Sequence, residues 1–238
     1  MNLIKKQKKR HDGRKNDEIR PLTLNVGVLP NADGSAEIKL GGNWIIAGVY
    51  GPKEHHPKME VSQERAVLKC RYSMAPYSVK DRKNPRPSRR ETEISKVIRE
   101  ALSASIFLEE FPEAGIQVYI EVLQAEGSTR VASICAASLA LADAGIPMRD
   151  LVAATSSGKV DEKIVLDIGE IEDFDGDADV PIAVMPNREL VTLLQMDGQL
   201  SHKEFKKTFN LAIDGCKQIY DLQVNALEAK IRDMESEE

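Results

Sequence analysis

Gly115-Ile-Gln-Val-Tyr-Ile-Glu-Val-Leu123 continues through Gln124-Ala-Glu-Gly127-Ser-Thr-Arg130 into Val131-Ala-Ser-Ile-Cys-Ala-Ala-Ser-Leu-Ala-Leu-Ala-Asp-Ala-Gly145. The first part is a β-branched run with the length of a strand, and the last is a helix of small residues ending at Gly145 with Pro147 beyond. The seven residues between them form a strand-to-helix junction. The first N–H groups of a helix have no intrahelical acceptor and lie at the positive end of its dipole. Gly127 allows close backbone approach, Ser128 and Thr129 carry hydroxyls, and Arg130 brings a planar cationic fork. The junction is either a capped helix start with an incidental arginine or a site for an anion, and the remainder of the chain has to decide between them.

Working outward, strands are expected over 22–29, 35–40, 43–50 and 66–72, with a turn at Asn31-Ala-Asp33-Gly34 and a loop over 51–62. A helix is expected from Arg89 to about Glu110, opened by the capping box Ser88-Arg-Arg-Glu91 and lined by Ile94, Val97, Ile98, Ala101 and Leu102. After 129–144 come strands near 151–158, 163–169, 180–185 and 189–196. Asp197-Gly198 reads as a turn, and Ser201-His-Lys-Glu204 as a capping box opening a long amphipathic helix. Strands followed by a helix, twice over, describe an α+β fold with an internal echo. The expected organisation is a basic arm over 1–15, one domain over 16–232 and an acidic tail over 233–238.

Composition narrows the chemistry. A chain of 238 residues can bury a real core. No apolar run is long enough to span a bilayer, and the basic N-terminus lacks the apolar stretch of a secretory signal, so a cytoplasmic protein without membrane contact is expected. Cys70, Cys135 and Cys216 are odd in number and far apart, which argues for buried thiols in a reducing compartment. The four histidines lack metal-ligand spacing, and no Walker or Gly-x-Ser-x-Gly pattern occurs.

The net charge of −5 hides concentrated patches. Lysines and arginines crowd the first fifteen residues, where a solvated face and a nucleic-acid contact are both open readings. Arg89 and Arg90 fall in a first helical turn, which disfavours cations unless neighbouring Glu91 and Glu93 or a bound anion offset the dipole. The segment Glu170-Ile-Glu172-Asp173-Phe-Asp175-Gly-Asp177-Ala-Asp179 is no calcium loop, because Gly176 comes a step early and Val184 stands where a bidentate Glu is needed. It is either a solvated acidic turn or a source of carboxylates for a cation or for proton transfer.

The ordered motifs Arg10-His-Asp-Gly-Arg14, Arg20-Pro21, Asn31-Ala-Asp-Gly-Ser35, Val49-Tyr-Gly-Pro52, Arg65-Ala-Val-Leu68, Pro87-Ser-Arg-Arg-Glu91, Gln124–Arg130 and Glu172-Asp-x-x-Gly-x-Ala-Asp-x-Pro181 cover nearly the whole chain. Together they resemble the RNase PH family, most closely the catalytic RNase PH-like subunits of archaeal exosomes. The resemblance implies an RNase PH-type, ribosomal protein S5 domain 2-like fold. It also implies a 3′→5′ exoribonuclease that uses inorganic phosphate as co-substrate and releases nucleoside diphosphates. Position by position, it implies that Gly127, Ser128, Thr129 and Arg130 bind phosphate, and that Arg89 and Arg90 grip the RNA 3′ end. It implies Asp173 and Asp179 as catalytic carboxylates, with Asp173 the expected proton donor and Asp179 on the metal side, both being candidate ligands of Mg²⁺ or Mn²⁺. Lys58 matches a basic residue near the neck through which RNA enters. The implied partners are single-stranded RNA, an inactive RNase PH-like subunit in a hexameric ring of three heterodimers, and RNA-binding cap proteins. The alternatives are a catalytically inactive RNA-binding ring subunit and a stand-alone RNase PH trimming transfer-RNA 3′ ends. The stretch Gly41-Gly-Asn-Trp-Ile-Ile46 departs from the family's threonine-containing turn, which bears on local packing.

Overall fold

The computed structural model describes residues 10–237. Two five-stranded sheets enclose one helix. The first sheet has the order β1-β2-β3-β5-β4, built from Leu22–Val26 (β1), Gly34–Leu40 (β2), Asn43–Glu54 (β3), Val67–Met74 (β4) and Ala114–Gln124 (β5). Only β4 and β5 run parallel, joined by the crossover helix α1, Arg89–Ser103. The second sheet has the order β10-β8-β6-β7, with β9 paired to β8. Its strands are Ala153–Val160 (β6), Lys163–Leu166 (β7), Ala178–Met185 (β8), Leu190–Leu194 (β9) and Asp197–Gly198 (β10).

Between the sheets lies α2, Thr129–Asp143, touching β2, β3 and β5 on one side and β6 and β8 on the other. A helix covered on all sides must be apolar all round. Small residues also let it approach the strands closely. A Cβ on Gly34 of β2 would fall 2.4 Å from the Ala140 carbonyl oxygen of α2. One hydrophobic core runs through both sheets and α2, and takes in Ala212, Cys216 and Ile219 of the long helix α4, His202–Glu237. Cys135 and Cys216 are buried and Cys70 half-buried, all as free thiols, and burial pushes Cys70 and Cys135 up to about 12.

The expected elements are present, with instructive shifts. Strand β1 stops at Val26 because Gly27 turns to φ +75° and donates to the Ser35 carbonyl. Strand β3 runs to Glu54, into the expected loop, because Lys53 and Glu54 pair with the start of β5 after a register shift. Helix α1 ends at Ser103, short of Glu110, and Ile106 then leaves it to bridge Met148. Asp197-Gly198 forms a short strand on β8 instead of a bare turn. The stretch read as an acidic tail continues α4 through Glu237.

Two corrections concern the acidic and basic segments. Glu170–Asp175 is a six-residue helix, α3, and no solvated turn; Glu172 within it is buried. The basic arm cannot extend to residue 15, since Arg10 and Arg14 are buried against the β7–α3 connection. The arm's residues 1–9 lie outside the described residues. Among the described residues, no helix is long and apolar enough to cross a membrane.

Candidate active site

The junction after β5 opens on a cleft of about 820 Å³ whose lining includes Ser128, Thr129, Arg130, Arg90, Asp173 and Asp179. Segments more than eighty residues apart in sequence therefore meet at the start of α2. The sheets bring them there: β5 delivers the junction, α1 delivers Arg90, and the β7–α3–β8 passage delivers both aspartates.

The junction has an unusual cap. Helices α1 and α4 begin with reciprocal Ser–Glu capping boxes at Ser88/Glu91 and Ser201/Glu204. Ser128 holds the N-cap position of α2 in the left-handed conformation, φ +57°, and its side chain caps nothing. Its hydroxyl instead donates to the Ile168 carbonyl at 2.6 Å. Since that uses its only hydrogen, Ser156 is the donor in the 2.8 Å Ser128–Ser156 contact. Thr129 is likewise engaged, its Oγ1 lying 2.9 Å from the Tyr72 hydroxyl. The hydroxyls expected to bind phosphate thus tie the junction to its surroundings. The first turn of α2 is left without a side-chain cap, which is the arrangement that receives an anion.

Gly127 does not line the cleft; its role is steric. At φ +68°, a Cβ on it would lie 2.5 Å from the Glu170 backbone nitrogen, so only glycine lets the junction lie against α3. Asn43, from the stretch that departs from the family's usual turn, brackets the junction. Its Nδ2 donates to the Gly127 carbonyl at 2.7 Å and its Oδ1 accepts from Glu126 N at 2.6 Å.

Arg130 enters the cleft part-buried. It donates to Gln195 Oε1 and, at 3.2 Å, to Glu93 Oε2. Glu91, expected beside Glu93 as an offset for Arg89 and Arg90, is engaged elsewhere. It accepts from Ser88 and Met74 N and pairs with Lys83, and these contacts outweigh desolvation and hold its carboxyl down at about 2. Neither acid is therefore spent on the arginine pair. Arg90 lines the cleft, whereas Arg89, about 100° away around the helix, does not.

Asp179 and Asp173 differ sharply. Asp173 is exposed on α3. Asp179 on β8 is part-buried, and its Oδ1 has no hydrogen-bond partner. Desolvation first, and then the neighbouring charge of Asp173, raise its carboxyl to about 7, with Arg130 opposing the shift. Asp197 stands directly opposite Asp179 across the β8–β10 pair and pushes the same way.

Lys58 is not at this site. It sits on an exposed turn, 3.8 Å from Glu54, which pairs with Ala114 at the start of β5. The cleft lies beyond the other end of that eleven-residue strand, roughly 35 Å of extended chain away. Besides Asn43, sequence reasoning did not mark Gln195 or Tyr72, and it marked Glu93 only as an offset for Arg89 and Arg90, whereas it pairs with Arg130; all three act through tertiary contacts.

The chain matches the 3′ exoribonuclease family twice, domain 1 over residues 18–147 and domain 2 over residues 150–215. It is 57% identical over 230 residues to the exosome complex component Rrp41 of Pyrococcus furiosus, covering 97% of this chain and 92% of that protein. Identity to Rrp41 of Nitrosopumilus maritimus is 53% over 230 residues, with 97% and 94% covered. In fold it resembles rice Rrp46, with a TM-score of 0.82 at 23% identity over 92% of this chain and all of that one. It also resembles a chain of an Archaeoglobus fulgidus exosome with RNA bound to the active site, with a TM-score of 0.79 at 24% identity, covering 90% and 92%. The motifs, the two-sheet architecture and these matches agree that the chain belongs to the RNase PH family of 3′ exoribonucleases.

Proposed function

We propose that this chain is the phosphate-dependent 3′→5′ exoribonuclease subunit of an archaeal exosome, with its reaction centre in the cleft at the start of α2. The observation that carries the reading is the meeting, in one cleft, of an uncapped helix start with Arg130, a second arginine, Arg90, and a carboxyl raised to about 7. Inorganic phosphate held by the α2 amides and Arg130 attacks the terminal phosphorus of RNA. The phosphorus–O3′ bond breaks, the leaving O3′ takes a proton, and the products are a nucleoside 5′-diphosphate and RNA one residue shorter. Positioning and charge neutralisation carry such a displacement.

The raised carboxyl of Asp179 favours Asp179 as the proton donor and exposed Asp173 as the metal-side carboxylate, the reverse of the assignment the resemblance suggests. Asp179, kept partly protonated near pH 7, has the proton that O3′ needs. Burial first, and then the charge of Asp173 beside it, keep the proton there. Phe174, 90% exposed at the cleft, offers a ring on which a terminal base stacks.

Charge balance supports both a cation and a partner. Among the described residues, the cleft is lined by six carboxyl side chains (Glu93, Glu170, Asp173, Asp177, Asp179 and Asp197) against Arg90 and Arg130. A polyanion needs further positive charge there. Among the described residues, no cluster of three or more His, Cys, Asp or Glu side chains could hold a metal by itself. The exposed carboxylate of Asp173, with the unpartnered Asp179 Oδ1 nearby, would fit Mg²⁺ or Mn²⁺ held together with substrate phosphates, and such an ion would neutralise phosphate charge. The remaining cationic surface is assigned to the RNase PH-like partner of a hexameric ring, with RNA-binding cap proteins outside it. An inactive ring subunit is disfavoured because Arg90, Arg130, Asp173 and Asp179 are all in place. A stand-alone RNase PH is disfavoured by the 53–57% identity to exosome components.

The test is incubation of RNA labelled in its 3′-terminal nucleotides with the chain, with and without partner subunit and phosphate. Nucleoside diphosphates formed only with phosphate support the reading; monophosphates formed equally well without it contradict phosphorolysis.

A further inference from the structure

Beneath the cleft, and outside its lining, lies a buried cluster of three arginines and two acids. Arg10 is fully buried. It grips Glu172 in a two-pronged pair, with Nε donating to Oε1 at 2.6 Å, and also donates to the carbonyls of Leu166 and, at 2.7 Å, Asp167. Arg14 donates to the Asp167 carbonyl at 3.1 Å and to Asp167 Oδ2 at 3.2 Å, while its Nε meets Asp12 at 2.6 Å. Arg20 takes both Asp167 oxygens, from Nε at 2.9 Å and from Nη2 at 2.7 Å, and with Nη1 reaches the Glu126 carbonyl. Asp167 has φ +52°, a conformation that a non-glycine residue holds only when its surroundings over-determine it.

The placement of these bonds says what they do. Leu166 to Glu172 is the passage from β7 into α3, and the next residue is Asp173. Glu126 opens the phosphate junction. The same passage meets that junction at Ser128–Ile168 and where Gly127 packs on Glu170. The three arginines face Asp12, Asp167 and Glu172, so the cluster is close to neutral and adds no attraction for RNA. Six of its contacts go to main-chain carbonyls, which fix direction and not merely charge.

We infer that Arg10, Arg14 and Arg20 are positioning residues that lock the 167–172 turn against the Glu126–Ser128 junction, so that the acidic helix and the anion-binding helix start face one cleft. The N-terminal segment, remote in sequence from every reacting group, thereby sets catalytic geometry. The inference rests on the reading of the cleft as the reaction centre.

Three proteins test it, each in the assembly in which the wild-type chain is active: wild type, Arg10→Lys, and the double variant Arg10→Met with Glu172→Met. Lysine keeps the charge and loses the fork, and the apolar pair can restore packing without direction. Arg10→Lys is expected to lower kcat by about tenfold or more, the scale of a small misplacement, with the KM for RNA within about twofold. The double variant is expected to recover the melting temperature lost in Arg10→Lys while kcat stays low. A kcat for Arg10→Lys close to wild type, or kcat returning together with the melting temperature in the double variant, overturns the inference. Hydrogen exchange is read in parallel. Faster exchange over 126–130 and 167–175 in Arg10→Lys is expected, and unchanged exchange in both segments overturns the inference. A wild-type assembly without phosphate-dependent activity contradicts the proposed function instead, and the exchange measurement still decides the clamp.

Discussion

Asp179 carries the proton bookkeeping of the cleft, and its sign can be worked out. Its carboxyl rises from an ordinary value of 3.8 to about 7 in the folded protein, first by desolvation and then by Asp173. A raised carboxyl pKa means that the native state holds the proton more tightly than the unfolded chain does. The resulting stability is fully present below the unfolded value and is lost as pH rises through about 7. Two outcomes are expected. Turnover falls on the alkaline side of about pH 7 as the donor is lost, and Asp179→Asn abolishes turnover while raising the melting temperature at pH 8. A pH–rate profile and a melting curve at pH 6 and pH 8 check both; an Asp179→Asn variant less stable than wild type at pH 8 would contradict the burial argument. Arg130→Glu replaces the cation facing the helix start with a carboxylate, and phosphate-dependent shortening is expected to vanish with the fold intact by circular dichroism. Phe174→Ala is expected to raise the KM for RNA by roughly five- to tenfold, the loss of one stacked base, with the KM for phosphate unchanged.

At the scale of elements, the active site is a contact between two connections, β5–α2 and β7–α3, and Gly127 is where they touch. Gly127→Ala would drive a methyl group to 2.5 Å from Glu170 N in a backbone conformation that alanine disfavours. The expected result is a folded protein with activity reduced at least about tenfold, read from initial rates of diphosphate release. Gly34→Ala acts elsewhere. It would push β2 from α2 against backbone atoms that cannot yield, and is expected to cost about 1–3 kcal/mol of stability in denaturant titration. The β5–α2 junction was legible in the sequence because strand, loop and small-residue helix are contiguous. Helix α3 was not legible. Six acid-rich residues have no helical signature of their own, and what holds them is Arg10 on Glu172, a pair separated by 162 positions. The extension of β3 to Glu54 was hidden for the same reason: its last residues are polar and exposed, and only pairing with β5 makes them strand.

At the scale of the whole molecule, the family match divides the chain near residue 148, yet one core runs through both sheets because α2 belongs to each. Unfolding is expected to be a single cooperative transition in calorimetry; two separable transitions would show that the halves fold independently. The shared helix also explains why the candidate site lies where it does, since the open start of α2 is the place where both sheets contribute connections. The excess of carboxyl groups around that start means that a bound polyanion would need further positive charge there. The most direct measurement is therefore the identity of the nucleotide released from single-stranded RNA by the assembled protein, with and without inorganic phosphate. The account predicts nucleoside 5′-diphosphates that appear only when phosphate is present and disappear in Asp179→Asn. Nucleoside monophosphates released at the same rate without phosphate would contradict it.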